Sequence, residues 1–147
     1  MIYSIFSHLF ELLILICVLI IYGISVNWLF IYLIIFVFLV VFTFGLNLIL
    51  STLFVFIRDI NDLWNVFVRI LWFATPIFYG LDNEGVIYKF NLFNPLFYFI
   101  EISRSVIINN KIPEFTFIFV GIFFSFLFLF VGLLLYQKNK SIFAERI

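Results

Sequence analysis

The run from 28 to 57, WLFIYLIIFVFLVVFTFGLNLILSTLFVFI, contains no charged side chain and limits what this chain can fold into more than any other feature. A helix of that length measures about 45 Å, longer than the ~30 Å hydrocarbon core of a bilayer, so it must tilt, protrude or begin as an interfacial segment. Three further apolar runs, near 9–26, 64–80 and 115–136, reach or approach the roughly 20 residues that a spanning helix needs. None alternates apolar with polar, as barrel strands would. With 67% hydrophobic and 11% charged residues, against about a quarter charged in water-soluble domains, the chain reads as an all-α membrane protein with about four transmembrane helices.

Zero net charge gives no basic field for nucleic acid, so no nucleic-acid partner is expected. The one cysteine, Cys17, sits inside the first run and reads as a small packing residue. The N-terminal segment lacks a basic n-region and an A-x-A cleavage site, so the first span is expected to remain. Twenty-five phenylalanines in so apolar a chain make aromatic stripes uninformative.

Polar residues therefore carry the information. His8 and Glu11, three apart at the start of the first helix, read as an interfacial pair. GISVNW at 23–28 supplies a turn and an interfacial Trp28. Thr43, Asn47 and Ser51 recur every fourth residue and make one polar stripe on the second span, for interhelical hydrogen bonding or for lining a pathway. Arg58, Asp59 and Asp62 gather between the second and third runs, where a cation suits one helix end and anions the start of the next. Arg69 lies inside the third span, within reach of the near interface. Pro76 is expected to kink that span. In the polar island 81–113, Asn94 is an N-cap and Pro95 a first helical residue. They open a helix of about 15 residues that sets Phe97, Tyr98 and Phe99 against Glu101, Arg104 and Ser105. At roughly 22 Å it is too short to span, so it lies in the interface or dips in and returns. Gly121 and Ser125 in the last run have the small-x-x-x-small spacing of close helix packing.

The tail 137–147 carries Lys138, Lys140 and Arg146 against Glu145, which places it in the cytoplasm by the positive-inside rule. Four spans then put both termini and the 58–63 loop inside and the 81–113 helical hairpin outside. The chain has no G-x-x-x-x-G-K-[ST] phosphate loop and no metal-ligand cluster, so no cofactor, metal or catalytic residue is expected.

The Arg58-Asp59 pair closing an apolar helix, Pro76 followed by Tyr79, the Asn94-Pro95 helix start with Glu101 and Arg104 beyond it, and the closing KNKSIFAERI occur in the order found in one family. In these elements the chain resembles the C-terminal part of a type-2 ABC transporter permease of the polysaccharide, O-antigen or teichoic-acid export group. The resemblance implies a prokaryotic plasma-membrane, multi-pass permease that forms a homodimer, binds a cytoplasmic ATP-binding cassette subunit and moves a lipid-linked glycan outward. It makes Arg58, Asp59 and Asp62 candidates for a coupling loop and Asn94, Pro95, Glu101 and Arg104 candidates for an extracellular gate. It also implies six spans behind an amphipathic N-terminal helix, so this chain is expected to lack two of them and to be a truncated or split permease. Two other readings compete. One is an accessory or inactive membrane subunit; the other is a membrane-embedded enzyme for polyprenyl-linked sugars, with Asp59 and Asp62 as its acids.

Overall fold

The computed structural model of the chain describes the backbone of residues 2–23, 29–57, 59–76 and 86–146, with side chains throughout these except at 2, 4 and 141–146. It is all-helical, with no strand among the described residues. The elements are α1 (Ile2–Ile21), α2 (Leu29–Phe56), α3 (Ile60–Ala74), α4 (Val86–Asn91), α5 (Pro95–Ile107) and α6 (Phe115–Arg146). Helices follow from the environment, because in hydrocarbon each backbone donor and acceptor must be satisfied within its own segment. Two of them, Leu29–Phe56 and the Phe115–Lys140 part of α6, are long and apolar enough to cross a membrane. α6 continues without a break through the basic tail to Arg146.

The two long helices form the spine. Phe38 meets Phe126 with ring centres 6.1 Å apart, Phe42 meets Phe128 at 4.8 Å, and Leu48 lies beside Gly132. Numbers rise together along this contact, so α2 and α6 run in the same direction. They touch through backbone at Gly45 and Gly132: a Cβ on Gly45 would fall 2.4 Å from the Leu129 nitrogen, and one on Gly132 2.5 Å from the Gly45 carbonyl oxygen. The close approach expected of Gly121 and Ser125 belongs to this pair instead. A Cβ on Gly121 would meet only Ile102 and Phe99 at ordinary contact distance, 3.8 Å, because side chains of α5 and not a helix backbone lie there. Ser125 is buried and donates to the Gly121 carbonyl of its own helix.

α1 ends where Gly23 takes φ +68, a left-handed conformation suited to glycine after a helix. Residues 24–28, and with them Trp28, lie outside the described residues. His8 ties α1 to α2: its Nε2 shares a 2.6 Å hydrogen bond with the Tyr32 hydroxyl, and its ring stacks on Phe36. Glu11 stands 3.9 Å from the other imidazole nitrogen.

α3 begins four residues before the apolar run that announced it and ends at Ala74. Pro76 therefore marks the end of α3 and not a kink within it. The residue before a proline is driven toward extended backbone, and Thr75 has ψ 132. Fifteen residues give about 22 Å, short of the hydrocarbon thickness.

α5 is the most enclosed helix. Phe99, Ile102 and Val106, spaced three and four apart, join Tyr32, Ile35 and Phe42 of α2 in the core, while Phe97 and Tyr98 pack on Phe117 of α6. Its first residues line a cleft together with Phe42 and Phe128, which stand near the middle of the two long helices. α5 thus packs its apolar side on the two long helices rather than standing apart from them.

Candidate functional site

The ends of α3 and α4 and the start of α5 meet in one polar cluster. Asn94 caps α5: its Oδ1 accepts from the Leu96 amide at 3.1 Å, and Pro95, which has no amide to satisfy, takes the first position. The Asn94 amide also donates to the Thr75 hydroxyl at 2.9 Å, and that hydroxyl donates to the Leu71 carbonyl at 2.7 Å. Asn91 donates to the Ala74 carbonyl at 3.2 Å and to the Ile87 carbonyl at 3.0 Å. Tyr98 closes the turn by donating to the Leu92 carbonyl at 2.7 Å. Thr75 and Asn91 are 2% and 3% exposed, so these bonds are shielded from solvent, where an unmet polar group would cost most.

Arg104, ten residues after Asn94, makes a second tie between α5 and the end of α3. Its guanidinium donates to the Glu101 carboxylate with one nitrogen and to the Pro76 carbonyl with another. The two side chains are 22% and 23% exposed, which separates them from the freely solvated pair that i,i+3 spacing alone implies. A planar fork serves two acceptors at once. Asn94, Pro95, Glu101 and Arg104 thus form one structure. Thr75 and Asn91, which complete it, were not singled out by the sequence. The Thr-Pro pair at 75–76 and the repeated asparagine in NLFNP are the only local signs of them.

Among the described residues the Thr43, Asn47, Ser51 stripe shows no hydrogen bond across helices. Thr43 donates to the Val40 carbonyl at 3.0 Å and Ser51 to the Leu48 carbonyl at 2.9 Å, both on α2 itself. Asn47 is exposed. Thr43 and Asn47 instead line, with His8 and Phe36, a cavity of about 370 Å³ between α1 and α2.

At the turn from α2 to α3, Arg58 lies outside the described residues. Asp59 occupies the N-cap position of α3 without a side-chain capping bond, so it acts on the helix through charge alone. Asp62 is exposed in the first turn. α3 buries no residue; one of its faces borders an apolar cleft of about 580 Å³ whose other wall is Phe42 to Leu53 of α2. No group of three or more metal-binding side chains occurs among the described residues.

Residues 1–108 match the model of a family described as ABC-2 type transporter. Two curated relatives, both named O-antigen export system permease protein RfbA and both from Klebsiella pneumoniae, are similar over most of the chain. One is 32% identical over 135 residues, 90% of this chain and 52% of the relative. The other is 30% identical over 130 residues, 86% of this chain and 50% of the relative. The chain spans about half the length of these curated relatives. No solved structure matches it significantly.

Proposed function

Since the chain belongs to the ABC-2 type transporter family, an integral membrane family, we propose that it serves as permease in an ATP-driven exporter of a lipid-linked surface polysaccharide of the O-antigen kind. In this reading ATP is hydrolysed on a separate cytoplasmic ATP-binding cassette subunit, because the chain has no phosphate loop of its own. Two permease copies frame the path in the plasma membrane. The observation that carries the proposal is the similarity to the two export permeases over almost the whole of this chain. The turn at 57–59 is then the contact through which the ATPase moves α3, and the hairpin α4–α5 is the gate on the outer side.

Asp59 and Asp62 stand exposed at a helix start, and among the described residues they belong to no group of three metal-binding side chains. The exposed placement of these acids is compatible with a mechanical role. Replacing the chromosomal gene by a deletion should strip polysaccharide from the cell surface while lipid-linked glycan builds up on the cytoplasmic face. An affinity-tagged chain should also bring down an ATP-binding cassette protein. Unchanged surface polysaccharide in the deletion strain refutes the proposal.

A further inference from the structure

His8 is the one histidine of the chain, and every group around it responds to its charge. Its Nε2 lies 2.6 Å from the Tyr32 hydroxyl and its Nδ1 3.9 Å from a Glu11 carboxylate oxygen. Its ring stacks on Phe36 with centres 4.5 Å apart and planes 16° from parallel. Among the described residues no other side chain of α1 makes a polar bond to another helix. The electrostatic surroundings are simple. Glu11 is the only charged residue of α1, α2 carries none, and Tyr32 is the only titratable residue of α2. Tyr3 and Cys17, the other titratable residues of α1, are exposed and more than one turn away from His8. Thr43 and Asn47, which line the same cavity as His8, are neutral.

An ionised carboxylate only accepts hydrogen bonds, so the proton of a neutral imidazole belongs on Nδ1, facing Glu11. Nε2 is then left to accept from the Tyr32 hydroxyl, and the polar tie between the helices is one neutral hydrogen bond. A proton taken from water onto Nε2 changes all three contacts. Nε2 now donates, and the Tyr32 hydroxyl rotates its own hydrogen away to present a lone pair. Nδ1 carries positive charge toward Glu11, and a cation lies over the face of Phe36. Hydrogen bonds with an ionised partner are roughly twice as strong as neutral ones, and the ring adds to them. His8 is 34% exposed, so the charged ring keeps part of its hydration and the gain is not cancelled by burial.

We propose that His8 is a pH-responsive latch: protonation of its imidazole tightens the hold of α1 on α2, and loss of the proton relaxes it. The latch concerns the contact of α1 with α2 alone and is independent of the exporter function. The test uses the full chain in bilayers of phosphatidylethanolamine and phosphatidylglycerol, labelled with nitrogen-15 histidine. With one histidine present, both imidazole nitrogen signals belong to His8. Histidine ordinarily changes charge between about pH 5 and 8. Above that range the spectrum should show the proton on Nδ1, and below it a proton on each nitrogen. Nitroxides attached at Phe6→Cys and Val37→Cys, both exposed, in a chain carrying Cys17→Ser, report the separation of α1 from α2 by pulsed electron resonance. Across the His8 titration the ratio of short to long separations should rise about tenfold on acidification. His8→Gln keeps an amide to bond Tyr32, and His8→Phe keeps the stack on Phe36; both should lose the pH response. If one of the two fails to insert, the other still reports. Glu11→Gln should reduce the response without abolishing it. Four results overturn the latch: a proton on Nε2 alone at high pH, a spectrum unchanged over the range, a separation that ignores pH while His8 titrates, or a pH response that survives the loss of His8.

Discussion

A single methyl group placed at the crossing of α2 and α6 should separate the two helices. In Gly45→Ala the new Cβ would lie 2.4, 2.5 and 2.6 Å from the Leu129 nitrogen and the Phe128 carbonyl carbon and oxygen. All three are backbone atoms that no rotamer change can move. Ordinary contact begins near 3.4 Å, so the backbones must part by about 1 Å, the difference between 3.4 and 2.4. A gap of that size forfeits a quarter to a half of the dispersion well of each atom pair along the seam, and overpacking of this sort costs about 1–3 kcal/mol. Alanine's better helix propensity, worth up to about 1 kcal/mol, works in the opposite direction. Packing of this kind is what holds helices together in lipid, so the net loss should show in reversible unfolding from mixed micelles as detergent strength is raised. Gly132→Ala should act alike, and the double variant should be less than additive, since the second methyl enters a seam already opened. Gly121→Ala is the internal control, because its Cβ would meet only side-chain atoms at 3.8 Å and should be neutral or mildly stabilising. Equal stability of Gly45→Ala and Gly121→Ala would refute the crossing.

In the same unfolding assay Asn94→Ala should lose about 2 kcal/mol, one part for the helix cap and one for the bond to Thr75. Asn94→Asp, which keeps the cap acceptor, should lose less, and no loss from Asn94→Ala would count against the cluster as a clamp. Asp59→Asn should cost at most about 1 kcal/mol, because no capping bond is broken. If the turn transmits ATPase motion, it should nevertheless uncouple hydrolysis from export, and normal export would leave Asp59 as a helix-end charge only. For topology, Ser141→Cys should be shielded from an impermeant thiol reagent in intact cells while Asn83→Cys reacts; equal labelling sinks the four-span arrangement. Arg104→Lys should impair export with chain abundance preserved, since one ammonium does not reproduce the fork onto Glu101 and Pro76, and Glu101→Gln should show a related, less than additive defect. Wild-type export by Arg104→Ala would reduce the pair to surface decoration.

Apolar run length made the membrane class and the long helices legible, because hydrocarbon leaves the backbone few choices. The Asn94-Pro95 start of α5 was legible for a different reason: capping is local chemistry, set by residues adjacent in the chain. What stayed hidden depends on contacts distant in sequence. Gly45 and Gly132 lie 87 positions apart (132 − 45), and nothing near either glycine marks it as more tightly packed than Gly121. The Pro76 carbonyl became a partner of Arg104 only because α3 stops there, a boundary that the apolar run 64–80 does not mark. The Thr43, Asn47, Ser51 periodicity was real, but a helix can satisfy hydroxyls from its own carbonyls, so periodicity does not name the partner.

α2 and α6 are joined by backbone contact at their middle, and α5 packs its apolar side onto both. α3, by contrast, buries nothing and faces a cleft on its inner side, so little apolar packing holds its length in place. Its firm attachment is at its end, where Asn91 bonds Ala74, Asn94 bonds Thr75 and Arg104 bonds Pro76. A rod that is loose along its side and fixed at its tip transmits displacement to whatever holds the tip. On the exporter reading, motion imposed at Asp59 would therefore be felt about 22 Å away, the length of the 15-residue α3, in the α4–α5 hairpin, with the cleft as the space into which α3 swings. Asp59 and Arg104 are then the two ends of one lever. Asp59→Asn should disturb how export responds to ATP hydrolysis, whereas Arg104→Lys should leave hydrolysis responsive and lose the motion of the gate.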